Sequence, residues 1–357
     1  MDQPRIFYFC YDHQNPTGGQ KQAYAHVDIL NNNGYNAFAL HLTEGFRLTW
    51  FQNHTRVINL ASFKQIYQPQ RDILVLPEDL GEKILSFPGQ KVIFNQNCYY
   101  GFSCFGFSKP RCYPYLDGSV MAVLTVSEHN KRQLQYAFPD LQILRVVNSI
   151  DSQRFSYRPV AAKKKIIACL PRKNPLHLNQ VYHILQCRAA QRLNNLSDYG
   201  WAFMRNFSEE QVAQIFSDSL LFLFLSSEEG LPLMPLEAML SGCLVFAYDC
   251  EPLTEYLNPM NAFLYEKHAL GKMIEEIEEL AADFPEKLER LQSKSEAARE
   301  TALWYSRSRQ EESLLAAWAA ILEEKWTSEQ TALSSIPADR ASTSRAPDTS
   351  WCLRQRL

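Results

Sequence analysis

The chain has 357 residues, of which 46% are hydrophobic and 21% charged, and its formal net charge is −3. That length exceeds one ordinary domain, and that apolar fraction is ample for two buried cores. The near-neutral balance leaves no electrostatic footprint for nucleic acid. Taken in order, Met1-Asp2-Gln3-Pro4-Arg5 lacks the basic region and apolar core of a secretory leader, and no later run approaches the length that spans a bilayer. The expected location is the cytoplasm.

Residues 5–11 form a β-branched and aromatic run that reads as a first strand. Asn15-Pro16-Thr17-Gly18-Gly19 reads as a loop, and residues 20–33 as an amphipathic helix. Strands follow at 36–42, 72–77, 91–94, 121–126 and 144–147, with helical stretches between several of them. Residues 99–115 are dense in aromatics, Tyr100 and Phe107 among them, and read as a long packed loop. Ser127 is placed to cap a helix over 128–138. The segment 148–165, with Pro159 and Lys163-Lys164-Lys165, reads as a connector. Strands then resume at 165–170, 220–225 and 244–248, with helices at 209–216, 235–241 and 270–282. Residues 286–325 are charged and helical in pattern, and after Trp326 the composition turns to Ser, Thr, Ala, Pro and Arg.

Strands alternating with helices imply a parallel sheet with both faces covered. The expected fold class is therefore α/β, with two doubly wound domains. The boundaries are 1–150 and 151–301, a segment 302–326 that crosses back to brace the first domain, and a disordered tail at 327–357. Ligands of such sheets lie beyond the carboxyl ends of the strands. Nine cysteines occur with no C-x-x-C pair, which argues against zinc and against a secreted disulfide framework.

The chemistry concentrates in Ser226-Ser227-Glu228-Glu229-Gly230-Leu231-Pro232-Leu233-Met234-Pro235-Leu236-Glu237. The apolar run before it and the two prolines within it read as strand, tight loop and helix start. A helix N-terminus offers free N–H groups and partial positive charge, which suits a diphosphate. Arg172 can hold phosphate oxygens through its planar fork, and Lys173 adds a point charge. Each residue also has a plainer reading: Glu229 as a helix cap, Glu237 as an exposed helical glutamate, Arg172-Lys173 as a solvated pair, Gly18-Gly19 as a simple turn.

Glu229 and Glu237, eight positions apart, resemble the E-x7-E signature of family 4 glycosyltransferases of the GT-B fold. Ala238-Met239, Gly242, Val245 and Glu255 extend the likeness, as do Gly18-Gly19, Val126-Ser127-Glu128, Val147-Asn148-Ser149-Ile150-Asp151 with Phe155, and Arg172-Lys173. The resemblance runs from about residue 5 to residue 326. It implies a retaining transfer of sugar from a nucleotide-sugar, UDP- or GDP-linked, to an acceptor hydroxyl, with no cofactor and no essential metal. Glu229, Arg172 and Lys173 would be catalytic. Gly18, Gly19, Gly230, Leu231, Pro232, Leu233 and Glu237 would bind the donor, with Glu237 on the ribose. His13, Asn97, Tyr100 and Phe107 fall on the acceptor or sugar side, the acceptor being a glycan, a lipid-linked sugar or a small molecule, with peripheral membrane contact left open. The chain departs from the pattern in three places. No histidine occurs in Phe94-Asn95-Gln96-Asn97-Cys98-Tyr99, no glycine stands near Cys250-Glu251-Pro252, and His177 stands where a lysine is common. These departures leave two rivals: a degenerate GT-B protein that binds without turnover, and a GT-B phosphorylase or epimerase.

Overall fold

The computed structural model describes residues 3–107, 109–110 and 112–334. The first half holds β1 (Arg5–Phe9), α1 (Gly18–Asn32), β2 (Asn36–His41), β3 (Val57–Asn59), α2 (Leu60–Ile66), β4 (Ile73–Pro77), β5 (Gln90–Asn95), α3 (Cys98–Ser103), β6 (Val120–Thr125), α4 (Glu128–Ala137) and β7 (Gln142–Arg145). Its seven strands run parallel in the order β3-β2-β1-β4-β5-β6-β7. The second half holds β8 (Lys164–Cys169), α5 (Pro175–Ala190), β9 (Gly200–Phe203), α6 (Glu209–Asp218), β10 (Ser219–Phe224), α7 (Leu233–Leu240), β11 (Leu244–Tyr248), β12 (Phe263–Tyr265), α8 (Leu270–Ala282), α9 (Phe284–Leu303) and α10 (Arg307–Ser334). Its five strands are also parallel, in the order β12-β11-β10-β8-β9.

Alternation along the strands explains the layering. In β1, Ile6 and Tyr8 enter one core cluster while Phe7 and Phe9 enter another on the opposite face. In β10, Leu221 and Leu223 go one way, Phe222 and Phe224 the other. A strand buried on both faces reads as a continuous apolar run because both sets of alternate side chains leave water. Each sheet also has a reversal in strand order, between β1 and β4 in the first and between β8 and β10 in the second.

The structure changes several sequence expectations. Gly18 and Gly19 open α1 rather than closing a loop, because Thr17 is extended (φ −135°, ψ 132°) and serves as the N-cap residue. The aromatic stretch is not all loop, since Asn97 caps the short helix α3 by accepting from the Tyr99 N–H at 2.9 Å. Three strands went unread, β3, β9 and β12, and all three are short edge strands with only partial burial. The helix α5 was also unread. The charged stretch 286–325 is two helices, broken where the Tyr305 carbonyl accepts from the Ile150 N–H at 3.0 Å. The expected tail begins later than composition suggests, because α10 continues to Ser334 with no glycine or proline before Pro337. Residues 335–357 lie outside the described residues. No helix among those described is long and apolar enough to cross a membrane.

After the break, α10 returns to the first sheet. Trp318 is fully buried there, and its Nε1–H donates to the Tyr8 hydroxyl at 3.1 Å. That hydroxyl lies 3.3 Å from His26 Nδ1, and burial pushes the His26 imidazole down to about 3, so it stays neutral. Ser313 Oγ accepts from the Val147 N–H at 3.0 Å. Trp318→Ala is expected to cost about 3–5 kcal/mol of stability, the usual range for emptying a buried tryptophan site. Urea unfolding measures it, and a change below about 1 kcal/mol would mean that α10 is not a structural wall.

Candidate functional site

Ligand crevices in doubly wound sheets form where strand order reverses, beyond the carboxyl ends of the strands. Here the two reversals face each other across one cleft of about 520 Å³. Tyr11 and His13 follow β1 and Glu78 and Asp79 follow β4, while Arg172 and Lys173 follow β8 and Glu229 follows β10. Four strand ends thus contribute these residues, with helix starts and loops completing the wall.

On the second half's side, β8 leads into a turn closed by the Lys173 N–H donating to the Leu170 carbonyl at 3.0 Å. Asn174 then takes a left-handed conformation (φ 49°) and caps α5, accepting from the His177 N–H. Asparagine tolerates that region better than most residues. The turn leaves Arg172 exposed at the cleft wall with no hydrogen bond or ion pair among the described residues. Lys173 pairs with Glu229, and Ser226 Oγ–H donates to the same carboxylate at 2.6 Å. Glu229 is therefore not a helix cap; it is fixed at the cleft by a cation and a hydroxyl.

Leu231 and Pro232 are buried, and the Tyr256 hydroxyl donates to the Pro232 carbonyl at 2.7 Å, pinning the entry to α7. No side chain caps α7 and no acid lies in its first turn; the same holds for α1 on the facing domain. Both N-termini, Leu233 on α7 and Thr17-Gly18-Gly19 on α1, line the cleft, so orphan N–H donors and two positive helix ends open onto one space. Glu237 lines it as well, and burial pushes its carboxyl up to about 7, with the nearby Lys21 charge opposing that rise.

Gly230 has a role that sequence did not suggest. A Cβ there would stand 1.6 Å from the Gln96 carbonyl oxygen of the other domain. Its missing side chain lets the two halves touch, rather than leaving room for a ligand. A Cβ on Gly19 would meet the Gln96 side-chain oxygen at 2.8 Å, whereas Gly18 has ordinary space. Beside this contact Asn97 Nδ2–H donates to the Glu228 carbonyl at 3.2 Å. Both polar ends of Asn97 thus have protein partners, and it serves as a helix cap and a domain tie. Further ties are Lys21 with Glu209, Arg145 with Glu255, and His129 Nδ1 with Glu251 Oε2 at 2.6 Å.

Of the residues expected from sequence, His13, Gly18, Gly19, Asn97, Tyr100, Arg172, Lys173, Glu229, Gly230, Leu231, Pro232, Leu233 and Glu237 all line the cleft. Phe107 does not: it follows Gly106, which turns with φ 58°, and it is fully exposed. His177 does not line the cleft either; its ring bonds the Tyr248 hydroxyl and the Asn174 amide. Sequence reasoning missed Lys21, Gln20, Trp50, Glu78, Asp79 and Glu209, all of which line the cleft. Glu78 and Asp79 could have been found as polar residues directly after a buried strand. Trp50 lies in an irregular segment and gave no signal.

Residues 193–300 match the family model described as "Glycosyl transferases group 1". An α-1,6-glucosyltransferase of Actinobacillus pleuropneumoniae serotype 7 (strain AP76) is 24% identical over 256 residues, covering 68% of this chain and 72% of that protein. Among solved structures, sucrose-phosphate synthase from Thermosynechococcus elongatus superposes with a TM-score of 0.61 at 13% identity, covering 93% of this chain and 100% of the other. Anabaena HepE in complex with UDP and glucose gives 0.62 at 12% identity, covering 89% and 100%. The fold is GT-B, residues 193–300 match a group 1 glycosyltransferase domain, and the protein is a transferase of glycosyl groups.

Proposed function

We propose that the protein transfers a sugar from a UDP- or GDP-linked donor to an acceptor hydroxyl with retention and without an essential metal, in the manner of family 4 glycosyltransferases with an E-x7-E motif. One observation carries this reading: an uncommitted arginine, a lysine–glutamate pair and two uncapped helix N-termini converge on a single cleft. Breaking the donor's anomeric bond loads negative charge onto the departing diphosphate, so catalysis needs positive charge placed there in advance. Arg172 supplies the larger share, since a charge-assisted hydrogen bond is worth about 1.5–3 kcal/mol against about 0.3–1 for a typical helix end. Lys173 adds charge while holding Glu229 toward the hexose. Glu229 bonds the sugar's hydroxyls or offsets positive charge at the anomeric carbon. Glu237 accepts from the ribose hydroxyls.

That last role has a pH signature. With its carboxyl raised to about 7, free Glu237 is mostly protonated at pH 6 and ionised at pH 8. Accepting two hydroxyl hydrogen bonds favours the carboxylate, so nucleotide binding releases a proton and tightens as pH rises through 7. Calorimetric titration with UDP and with GDP between pH 6.5 and 8 should show this slope in the wild type and its loss in Glu237→Gln. Equal slopes in both proteins would remove Glu237 from the ribose. Whichever nucleotide raises the melting temperature also names the donor class. Turnover of its sugar conjugates then separates a transferase from a protein that only binds, and a need for free phosphate would indicate a phosphorylase.

A further inference from the structure

The first half's side of the cleft carries polar groups to which the donor reading assigns no role. The Tyr11 hydroxyl donates to Asp79 Oδ1 at 2.7 Å, and the Tyr11 ring stacks on His13 with centroids 6.4 Å apart. Glu78, beneath them, accepts from the Asn97 N–H at 2.8 Å. The Gln20 amide nitrogen lies 3.1 Å from a His13 ring nitrogen. Gln14 pins the neighbouring segment, donating to the Arg47 carbonyl at 2.7 Å and accepting from the Thr49 N–H at 3.0 Å, which fixes the approach to Trp50.

Three polar atoms of cleft-lining residues are buried without a hydrogen-bond partner: Gln20 Oε1, Trp50 Nε1 and Asn148 Oδ1. Gln20 and Asn148 are only 8% and 4% exposed. A buried orphan costs about 1–3 kcal/mol, and a bound group that pairs with it recovers that loss. The orphans are two acceptors and one donor. A hydroxyl can both give and take hydrogen bonds and so satisfies either kind, whereas an ionised phosphate or carboxylate has no proton to give Gln20 or Asn148. Charge points the same way. Among the described residues, the only Lys or Arg lining the cleft are Lys21, Arg172 and Lys173. Lys21 is tied to Glu209, and the other two stand on the donor side. Among the described residues no cation pairs with the Asp79 carboxylate, whose partner is the Tyr11 hydroxyl.

We propose that this pocket selects an uncharged, hydroxyl-rich acceptor, a neutral sugar or glycoside, seated on the Trp50–Tyr11–His13 wall, with Gln20 and Trp50 reading its hydroxyls and Asp79 excluding phosphorylated acceptors. The inference rests on the glycosyl-transfer reading above and narrows its acceptor. Flat rings flanked by hydrogen-bonding groups suit the apolar face of a pyranose.

The test is a competition between neutral p-nitrophenyl glycosides of glucose, galactose and N-acetylglucosamine and the 6-phosphates of the same sugars, with nucleotide binding measured in parallel. Neutral glycosides should be used and the phosphates refused. Trp50→Phe, which keeps the ring and deletes the N–H, should raise acceptor KM about 3- to 10-fold and leave donor KM unchanged. Asp79→Lys, at an exposed position, should shift the preference toward phosphorylated acceptors by at least about tenfold. Preference for a phosphorylated acceptor, use of none of the neutral glycosides, or an Asp79→Lys variant with unchanged preference would each overturn the proposal. Failure of both UDP and GDP to bind would instead overturn the donor reading beneath it.

Discussion

Arg172→Ala is expected to lower kcat by roughly 10²–10³, the loss typical of deleting one preorganised electrostatic donor from an active site. The residue is well suited to a clean measurement. It is exposed, stands on a turn whose hydrogen bonds are made by other groups, and has no protein partner among the described residues to strand. The melting temperature should therefore stay within about 1 °C, as for an ordinary surface change. Arg172→Lys should recover only part of the rate, because an ammonium cannot offer the planar fork that matches a diphosphate. Steady-state kinetics with the donor identified by nucleotide binding provides the readout. A variant with unchanged kcat would move the leaving-group contact elsewhere, with Lys173 the next residue to examine. Lys173 is the less clean probe, since removing it also releases Glu229 from its ion pair.

Gly230→Ala is the second large effect. A methyl group there cannot coexist with the Gln96 carbonyl at 1.6 Å, and that atom is main chain, so no side-chain rotation relieves the clash. Either the strand-end loop shifts or the two halves separate. A displacement near 1 Å between the groups that would hold donor and acceptor on opposite halves costs on the order of 10² in rate. The expected result is a kcat reduced about 100-fold, with nucleotide affinity within a few-fold of wild type, because Arg172, Lys173 and Glu237 all belong to one domain. Rates near wild type would mean that this contact is absent during turnover. Gly19→Ala should be milder, since the atom it meets is the mobile end of the Gln96 side chain.

The doubly wound architecture was legible because both-face burial leaves long apolar runs, and β11 was read to the residue. Edge strands such as β3 and β12 have three residues each and partial burial, so no pattern marks them. That Glu229 and Glu237 would both face one cleft, across a loop and helix start, was legible from spacing and the prolines. Their physical setting was not: Glu229 leaves the helix uncapped and pairs instead with Lys173, 56 residues away. Asn97 and His177 look chemically available in a string of letters, yet Glu228, Tyr99 and Tyr248 already occupy them. The wall proposed to seat an acceptor was unreadable for a topological reason. Trp50, Gln20 and Asp79 share one cleft because β2, β1 and β4 are neighbours in the sheet, and strand order is not written in local periodicity.

The docking of α10 on the first sheet bears on how the chain is made. Trp318 reaches Tyr8 across 310 residues of sequence. The first seven strands leave the ribosome early, but one wall of their core arrives only when nearly everything else has been translated. Until then the nascent domain keeps an apolar flank uncovered, and a fragment cut at the connector would carry that flank into solution for good. Folding of the leading half is thus chained to completion of the trailing half, and expressing the first half by itself calls for supplying this helix with it.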